Sequence, residues 1–414
     1  MSRVAFLGPD PLPALGSGLA VLCADGCGLD RGGGPPLEQF ELPGKQSSLG
    51  LLKLPQVQER LRGSADAITV WKSSAALEQL AAGLGLGLAS SPALVARRLE
   101  NKAYFSRSAA AAGLPVPPAR TGRAGPKLLG EAWGLPGPWV FQLAQGFSGA
   151  QTYPAREAAT LAELMDQFRG HPCRVASAVP GTPITVTGVV GAAGLAVSPA
   201  CRQLTGIPGL TPHPLGSCGD DYGFPVPGAS EVEALALRVA AWLRQEGHLG
   251  IFGLDLVQAP TGQLWCIEVN PRLVASVPLF SLSARDCGGP GLLGQHLACF
   301  GLARWGGSPL ECHWSQVILY QEGERLAQPL ARTGRAGLGG DEPLAWMPLG
   351  LEGPRPGEIA IVVQGSSSPG GELARIIFQG PGLGPDGLPL PWMSRRVAEL
   401  RAQLELSQAT PAVS

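Results

Sequence analysis

The stretch GIFGLDLVQAPTGQLWCIEVNPR, residues 250 to 272, decides the fold. Two apolar runs flank the turn APTG, so the stretch predicts an antiparallel hairpin. Taken as symmetric about the connection 259–262, the hairpin pairs Gln258 with Gln263 and sets Asp255 opposite Cys266. Alternation with period two then puts Cys266, Glu268 and Asn270 on the face that carries Asp255. Two carboxylates and a carboxamide oxygen aimed at one point suit Mg²⁺, which takes few protein ligands and completes its shell with water and phosphate oxygens. A solvated strand face is the plainer reading. Against it, Ile251, Phe252, Leu254, Leu256, Trp265, Ile267 and Val269 make both strands otherwise apolar, so charges among them need a partner.

The surrounding chain has 414 residues, enough for two to four domains at about 150 residues each. Gly 59 and Pro 40 are high counts, but a hydrophobic fraction of 45% supports a packed core, so these residues read as turns and loops. A net charge of −1 excludes a general basic footprint for nucleic acid or an anionic membrane. The opening residues lack a secretory h-region and no run approaches a membrane span, so a soluble cytoplasmic protein is expected. Nine cysteines, scattered and odd in number, predict reduced thiols rather than a disulfide framework, and Cys23 with Cys27 lacks a second pair at zinc spacing. Lysine stands only at Lys45, Lys53, Lys72, Lys102 and Lys127, so every later basic side chain is arginine.

The first 95 residues read as short buried strands (3–8, 18–24 and 68–71) alternating with helices, a small doubly wound domain. Residues 90–120 predict two short helices, one capped by Ser90 or Ser91 and one following Asn101. Then come a strand at 139–144, a small-residue loop at 146–152, a helix, and paired strands at 174–180 and 184–197. A helix starts at Ser230 with Glu233 completing a capping box. From about 311 onward the pattern is β-rich, closing with a helix that stripes Val397, Leu400 and Leu404. The string ARTGRAG occurs at 119–125 and 331–337 and reads as coincidence.

The run IEVNPR, with an Asp thirteen positions before its Glu, resembles the metal-binding signature of the ATP-grasp superfamily, which includes biotin carboxylase and many carboxylate-amine ligases. Three further segments carry the resemblance in the same order: ASSPALVARRLENKAYFSRSAAAAGLPVPP, WVFQLAQGFSGAQTY and RVASAVPGTPITVTGVV. The resemblance implies an α/β protein with a Rossmann-like N-terminal (pre-ATP-grasp) domain at 1–95, an ATP-grasp core at 96–310 and a small β-rich C-terminal segment at 311–414. It implies that Asp255, Glu268 and Asn270 hold Mg²⁺ (or Mn²⁺), that Arg272 contacts the transferring phosphate or reacting anion, and that Lys102 contacts ATP phosphates. The amides of Gly146, Phe147, Ser148 and Gly149 would cover those phosphates, and backbone groups at Ser177 and Ala178, after Ala176, would meet adenine. Gln142 stands where the superfamily usually has a second lysine and is expected to hydrogen-bond a phosphate in its place.

In 201–223, Arg202 is a candidate for binding a carboxylate, and Asp220 or Asp221 for meeting an amine; Arg285 and Asp286 are weaker candidates. The expected function is ATP-dependent activation of a carboxylate as an acyl phosphate followed by capture by an amine. Its partners are small molecules, and a homodimer is compatible with the sequence. The rival readings are a catalytically silent ATP-binding scaffold or regulator and a carboxylating enzyme like biotin carboxylase.

Overall fold

The computed structural model describes residues 3–24, 29, 36–41, 47–146, 149, 151–289, 291–306, 310–321, 332–337, 344–346, 349–363 and 370–409. Cys27, Phe147 and Ser148 lie outside the described residues.

The chain begins with β1 (Val4–Leu7), β2 (Ala20–Ala24), β3 (Leu37–Phe40), α1 (Ser48–Lys53), α2 (Pro55–Ser64), β4 (Ala67–Thr69), α3 (Ala75–Gly83) and β5 (Gly87–Ala89). The strands form a parallel five-stranded sheet in the order β3-β2-β1-β4-β5. Phe6 packs into one core while its neighbours Ala5 and Leu7 pack into another, so β1 is buried on both faces. Its unbroken apolar run follows from that double burial.

Two short helices follow, α4 (Ala93–Leu99) and α5 (Lys102–Ala111). Neither Ser90 nor Ser91 caps α4; Pro92 occupies that position, and the Ser91 hydroxyl meets His248 Nδ1 at 2.9 Å instead. Asn101 does cap α5, accepting from the Tyr104 amide at 2.9 Å. Next are β6 (Ala119–Arg123), α6 (Pro126–Ala132), β7 (Trp139–Leu143), β8 (Thr152–Ala155), α7 (Ala158–Gln167) and β9 (Pro172–Ser177). Their strands make an antiparallel sheet ordered β6-β9-β7-β8, with Phe141, Leu161, Cys173 and Val175 in the core beneath it.

The remaining elements are β10 (Thr182–Val190), β11 (Leu195–Val197), β12 (Cys201–Thr205), β13 (Ser217–Asp221), α8 (Ala229–Gln245), β14 (Gly250–Gln258), β15 (Leu264–Asn270), α9 (Val277–Cys287), α10 (Gly291–Cys299), β16 (Trp314–Tyr320), β17 (Arg332–Gly337), β18 (Ala345–Trp346), β19 (Glu358–Val363), β20 (Glu372–Gln379) and α11 (Pro391–Ala409). They build an eleven-stranded sheet in which β16 pairs with β13, so the C-terminal strands continue the sheet that holds the hairpin. Two expectations change here. The strands β9 and β10 belong to different sheets and do not pair, and α8 takes Gly228 at its N-cap with no side-chain cap, so the Ser230–Glu233 box does not form. The two ARTGRAG copies also lie in different sheets.

The hairpin β14–β15 forms with a shifted register. Gln258 faces Leu264 and Leu256 faces Cys266, then the ladder slips so that Asp255 faces Glu268 and Gly253 faces Asn270. The irregularity leaves Ile267 as an extra residue, a β-bulge. The connection thus begins one residue off the symmetric expectation, and the bulge puts Glu268, rather than Cys266, opposite Asp255. Cys266 does not share their face: it is buried with Leu254 and Leu256 in the core under α8.

Candidate active site

A cavity of about 810 Å³ lies between the β6–β9 sheet and the hairpin face of the large sheet. Asp255, Glu268 and Asn270 all line it. Asp255 Oδ1 accepts from Gln203 Nε2 at 2.8 Å and from the Thr185 hydroxyl at 3.3 Å, while its Oδ2 accepts from Asn270 Nδ2 at 3.2 Å. Burial, with the Glu268 carboxylate directly across the ladder, pushes the Asp255 carboxyl up to about 7. Burial also pushes the Glu268 carboxyl up, but the Lys102 ammonium at 2.8 Å, aided by Arg174 and Arg272, outweighs it and holds the group below its ordinary value. Two carboxylates facing each other across one strand pair favour a shared cation. Among the described residues no group of three or more His, Cys, Asp or Glu side chains forms a metal cage. Two carboxylates and one carboxamide facing one cavity suit Mg²⁺, a hard ion that takes few protein ligands and completes its shell with other oxygens.

Lys102 opens α5, is 6% exposed and also reaches the Gly146 carbonyl at 3.4 Å, so it ties the hairpin to the loop that follows β7. In that loop Gly149 has φ +76, and a Cβ there would lie 2.5 Å from Gly216 Cα. Only glycine combines that conformation with so close an approach. Gly146, Gln142, Ser177 and Ala178 also line the cavity. The Ser177 and Ala178 amides donate to Pro118 and Pro138 carbonyls, at 2.9 and 2.8 Å, and the buried Ser177 hydroxyl has no partner among the described residues. Arg272 lines the cavity too, its Nε on Glu100 Oε1 at 2.9 Å and Nη2 on Asn270 Oδ1 at 2.9 Å. Lys72 pairs with the other oxygen of Glu100.

Not every candidate from the sequence reaches this space. Arg202 alternates with Gln203 on β12, and since Gln203 faces Asp255, Arg202 is turned to the other side, over Phe224 at 4.9 Å and near the Gly384 carbonyl. Asp220 lines the cavity, with Gln316 Nε2 at 2.6 Å from its Oδ2. Asp221 is fully buried and accepts the amides of Gly223, Gly382 and Leu383, which fastens the turn after β20. Arg285 and Asp286 pair with each other, and Asp286 also accepts from Trp314 Nε1 at 2.8 Å, outside the cavity.

Other residues of the site were not singled out in the sequence. Gln203 and Thr185 orient Asp255, and Arg174 lines the cavity wall beside Gln142. A second chamber of about 410 Å³ shares Trp71, Lys72, Ala275, Ile318 and Tyr320 with the first. Its other walls include Asp10 after β1 and Glu372 and Arg375 of β20. Arg375 donates to both Glu372 oxygens at 2.9 and 2.7 Å and to Gln316 Oε1 at 3.1 Å, so Gln316 links this chamber to Asp220. Burial, reinforced by Glu372, pushes the Asp10 carboxyl up to about 6.

No known protein-family pattern matches the chain, and no curated protein matches its sequence. Solved structures do match over nearly its whole length. An N5-carboxyaminoimidazole synthase from Aspergillus clavatus, in complex with ADP and 5-aminoimidazole ribonucleotide, superposes with a TM-score of 0.61 at 13% identity, covering 98% of this chain and 99% of that one. A biotin carboxylase from Campylobacter jejuni in complex with β,γ-ATP gives 0.66 at 12%, covering 92% and 88%. The biotin carboxylase domain dimer of Hydrogenobacter thermophilus 2-oxoglutarate carboxylase, with MgADP, ADP and bicarbonate, gives 0.61 at 13%, covering 92% and 87%. The likeness is one of fold.

Proposed function

We propose, on the premise that the chain has the ATP-grasp fold, that it is an ATP- and Mg²⁺-dependent ligase that activates a carboxylate as an acyl phosphate and joins it to an amine. One observation carries the reading: Asp255, Glu268 and Asn270 converge across from Lys102 in a cavity bordered by a glycine loop. Phosphoryl transfer needs charge neutralisation and alignment more than covalent help from the protein. Mg²⁺, held by the three hairpin oxygens, would supply neutralisation of the phosphate charge.

The chain's own groups do the rest. Lys102 neutralises phosphate oxygens, and the Gly146 and Gly149 backbone covers them. The unpartnered Ser177 hydroxyl offers the purine a hydrogen bond where the neighbouring amides are already taken. A carboxylate oxygen attacks the γ-phosphorus and ADP leaves; the amine then attacks the acyl carbon and inorganic phosphate leaves, a good leaving group in place of a poor one. Arg272, braced by Glu100 and stacked 5.5 Å from the Trp71 ring, orients the anionic reactant at the junction of the two chambers. The second chamber, with Asp10, Glu372 and Arg375, receives the amine acceptor.

The bicarbonate and aminoimidazole ligands of the similar structures favour a second form of this reading, in which the carboxylate is bicarbonate and the product an N-carboxylated amine. ADP release is to be measured with bicarbonate and with a panel of carboxylic acids, each with amine acceptors, for the native chain and Asp255→Ala. Turnover with one acid and its loss in the variant are expected. Unchanged turnover in the variant refutes the metal site, and ATP binding without turnover against every acid supports a silent scaffold instead.

A further inference from the structure

Arg174, on β9, is 3% exposed and borders the main cavity. Its guanidinium is held by neutral acceptors alone. Nε and one Nη2 hydrogen go to Gln142 Oε1, and the two Nη1 hydrogens go to Ser106 Oγ at 3.0 Å and the Ile267 carbonyl at 2.9 Å. Ile267 is the bulged residue of β15, so its displaced carbonyl serves to fix this side chain. One Nη2 hydrogen is left over.

The charges around the cavity set Arg174 apart. Of the cations lining it, Lys102 is paired with Glu268, and Lys72 and Arg272 are paired with Glu100. Among the described residues Arg174 has no carboxylate partner and feels Glu268 only at longer range. A buried charge is costly unless it is matched by an opposite one. A cation held rigidly by four neutral hydrogen bonds at a cavity wall is therefore arranged for an anion that comes and goes.

We infer that Arg174 is a direct contact for the nucleotide's polyphosphate, with Gln142 as the residue that aims its guanidinium. Gln142 and Arg174 are directly paired across β7 and β9, so the cation sits one strand away from the uncharged Gln142 and still faces the same space. Guanidinium suits this place better than ammonium because its planar fork can spend one edge on Gln142 and leave an Nη2 hydrogen for a phosphate oxygen. The inference rests on the reading of the cavity as an ATP site.

Calorimetric titration of the whole protein with MgATP, ADP and adenosine separates the two. In Arg174→Met, ATP and ADP affinities are expected to fall about 10- to 100-fold, the scale of one charge-assisted contact, while adenosine affinity holds. Gln142→Lys combined with Arg174→Met returns the charge to β7 and is expected to restore most of the ATP affinity. Equal ATP affinity in native protein and Arg174→Met, or an equal loss for adenosine, overturns the inference and leaves the ATP site standing. A native protein that binds none of the three overturns both. If Arg174→Met does not fold, Arg174→Lys keeps the charge without the fork; a selective loss of phosphate-bearing ligands supports the inference, and native affinities refute it.

Discussion

Replacing Lys102 by methionine isolates the charge balance at the centre of the site. Lys102 is 6% exposed, and its Nζ lies 2.8 Å from Glu268 Oε2 with the Asp255 carboxyl just across the ladder. Methionine keeps most of the side-chain volume and removes the charge, leaving the half-buried Glu268 with only the more distant Arg174 and Arg272 to compensate. Breaking a fully buried pair from one side costs about 3–5 kcal/mol; the two remaining arginines and the partial exposure of Glu268 put the expected loss below that range, about 2 kcal/mol. Glu268→Gln alone strands the ammonium and is also destabilising. The double variant removes both charges and is expected to recover about 2 kcal/mol relative to the sum of the single losses, a coupling within the range for residues in direct contact. Urea unfolding without nucleotide measures all four species. Mg²⁺ added alone is expected to stabilise Lys102→Met more than the native chain, because it replaces the missing positive charge. Additive losses in the double variant, or no differential effect of Mg²⁺, refute the account of Lys102 as the counter-charge that holds Glu268 ready.

Three further outcomes test other parts of the molecule. Gly149→Ala places a Cβ 2.5 Å from Gly216 Cα at φ +76, so the loop must leave residues 215–216; KM for ATP is expected to rise with unfolding stability reduced by only about 1 kcal/mol, and native kinetics would contradict this packing. Glu372→Gln loosens Arg375 in the second chamber and is expected to raise the acceptor KM about 10-fold while ATP affinity stays native; a change in ATP affinity with acceptor KM intact would reverse the assignment of the chambers. The rings of His248 and His296 are buried, which pushes them down to about 3 and about 4. The unfolded chain protonates them near 6.5 and the folded chain does not, so each contributes stability that is present above pH 6.5 and lost as pH falls, by up to about 1.4 kcal/mol per unit. Asp10 acts in the opposite sense as pH falls through its raised value of about 6. His296→Gln should therefore show a shallower pH dependence of stability than the native chain between pH 6 and 4.5; an unchanged slope means the ring is protonated in the fold.

How much of this the sequence reveals depends on how local each signal is. Asp255, Glu268 and Asn270 are legible because one hairpin carries all three and apolar neighbours expose their pattern. The bulge at Ile267 is not, since a slip of one residue leaves no mark in composition; with Cys266 already opposite Leu256 in the core, it is the bulge that turns Glu268 to the face of Asp255. Arg202, a candidate for binding a carboxylate, does not line the cavity for a related reason: β12, CRQLT, is too short to show an alternation, so the face of Gln203 cannot be told from that of Arg202 in the sequence. Arg174 lies in an apolar run that reads as an ordinary strand, and only burial without a carboxylate marks it out. The second chamber needs Asp10 to meet Glu372 and Arg375 from the far end of the chain, a contact no local pattern encodes.

The continuation of the large sheet from β13 into β16 has a consequence for how the chain folds as it is made. One core combines Phe6 and Leu12 from the start of the chain with Trp314, Leu349 and Ile377 from its last third. Strand β16 is flanked by β13 on one side and β20 on the other. A nascent chain that has emerged only as far as α10 therefore has its cavity-lining hairpin in hand while β13 offers an unpaired edge and Phe6 lacks its covering residues. Such an edge is a template for pairing with other chains, and domains form as units from the N-terminus during synthesis. Closure waits until β20 is out. During that interval the β-rich end protects the first half from aggregation only by arriving, so slow translation across residues 311 to 379 is expected to lower soluble yield more than the same delay placed after them.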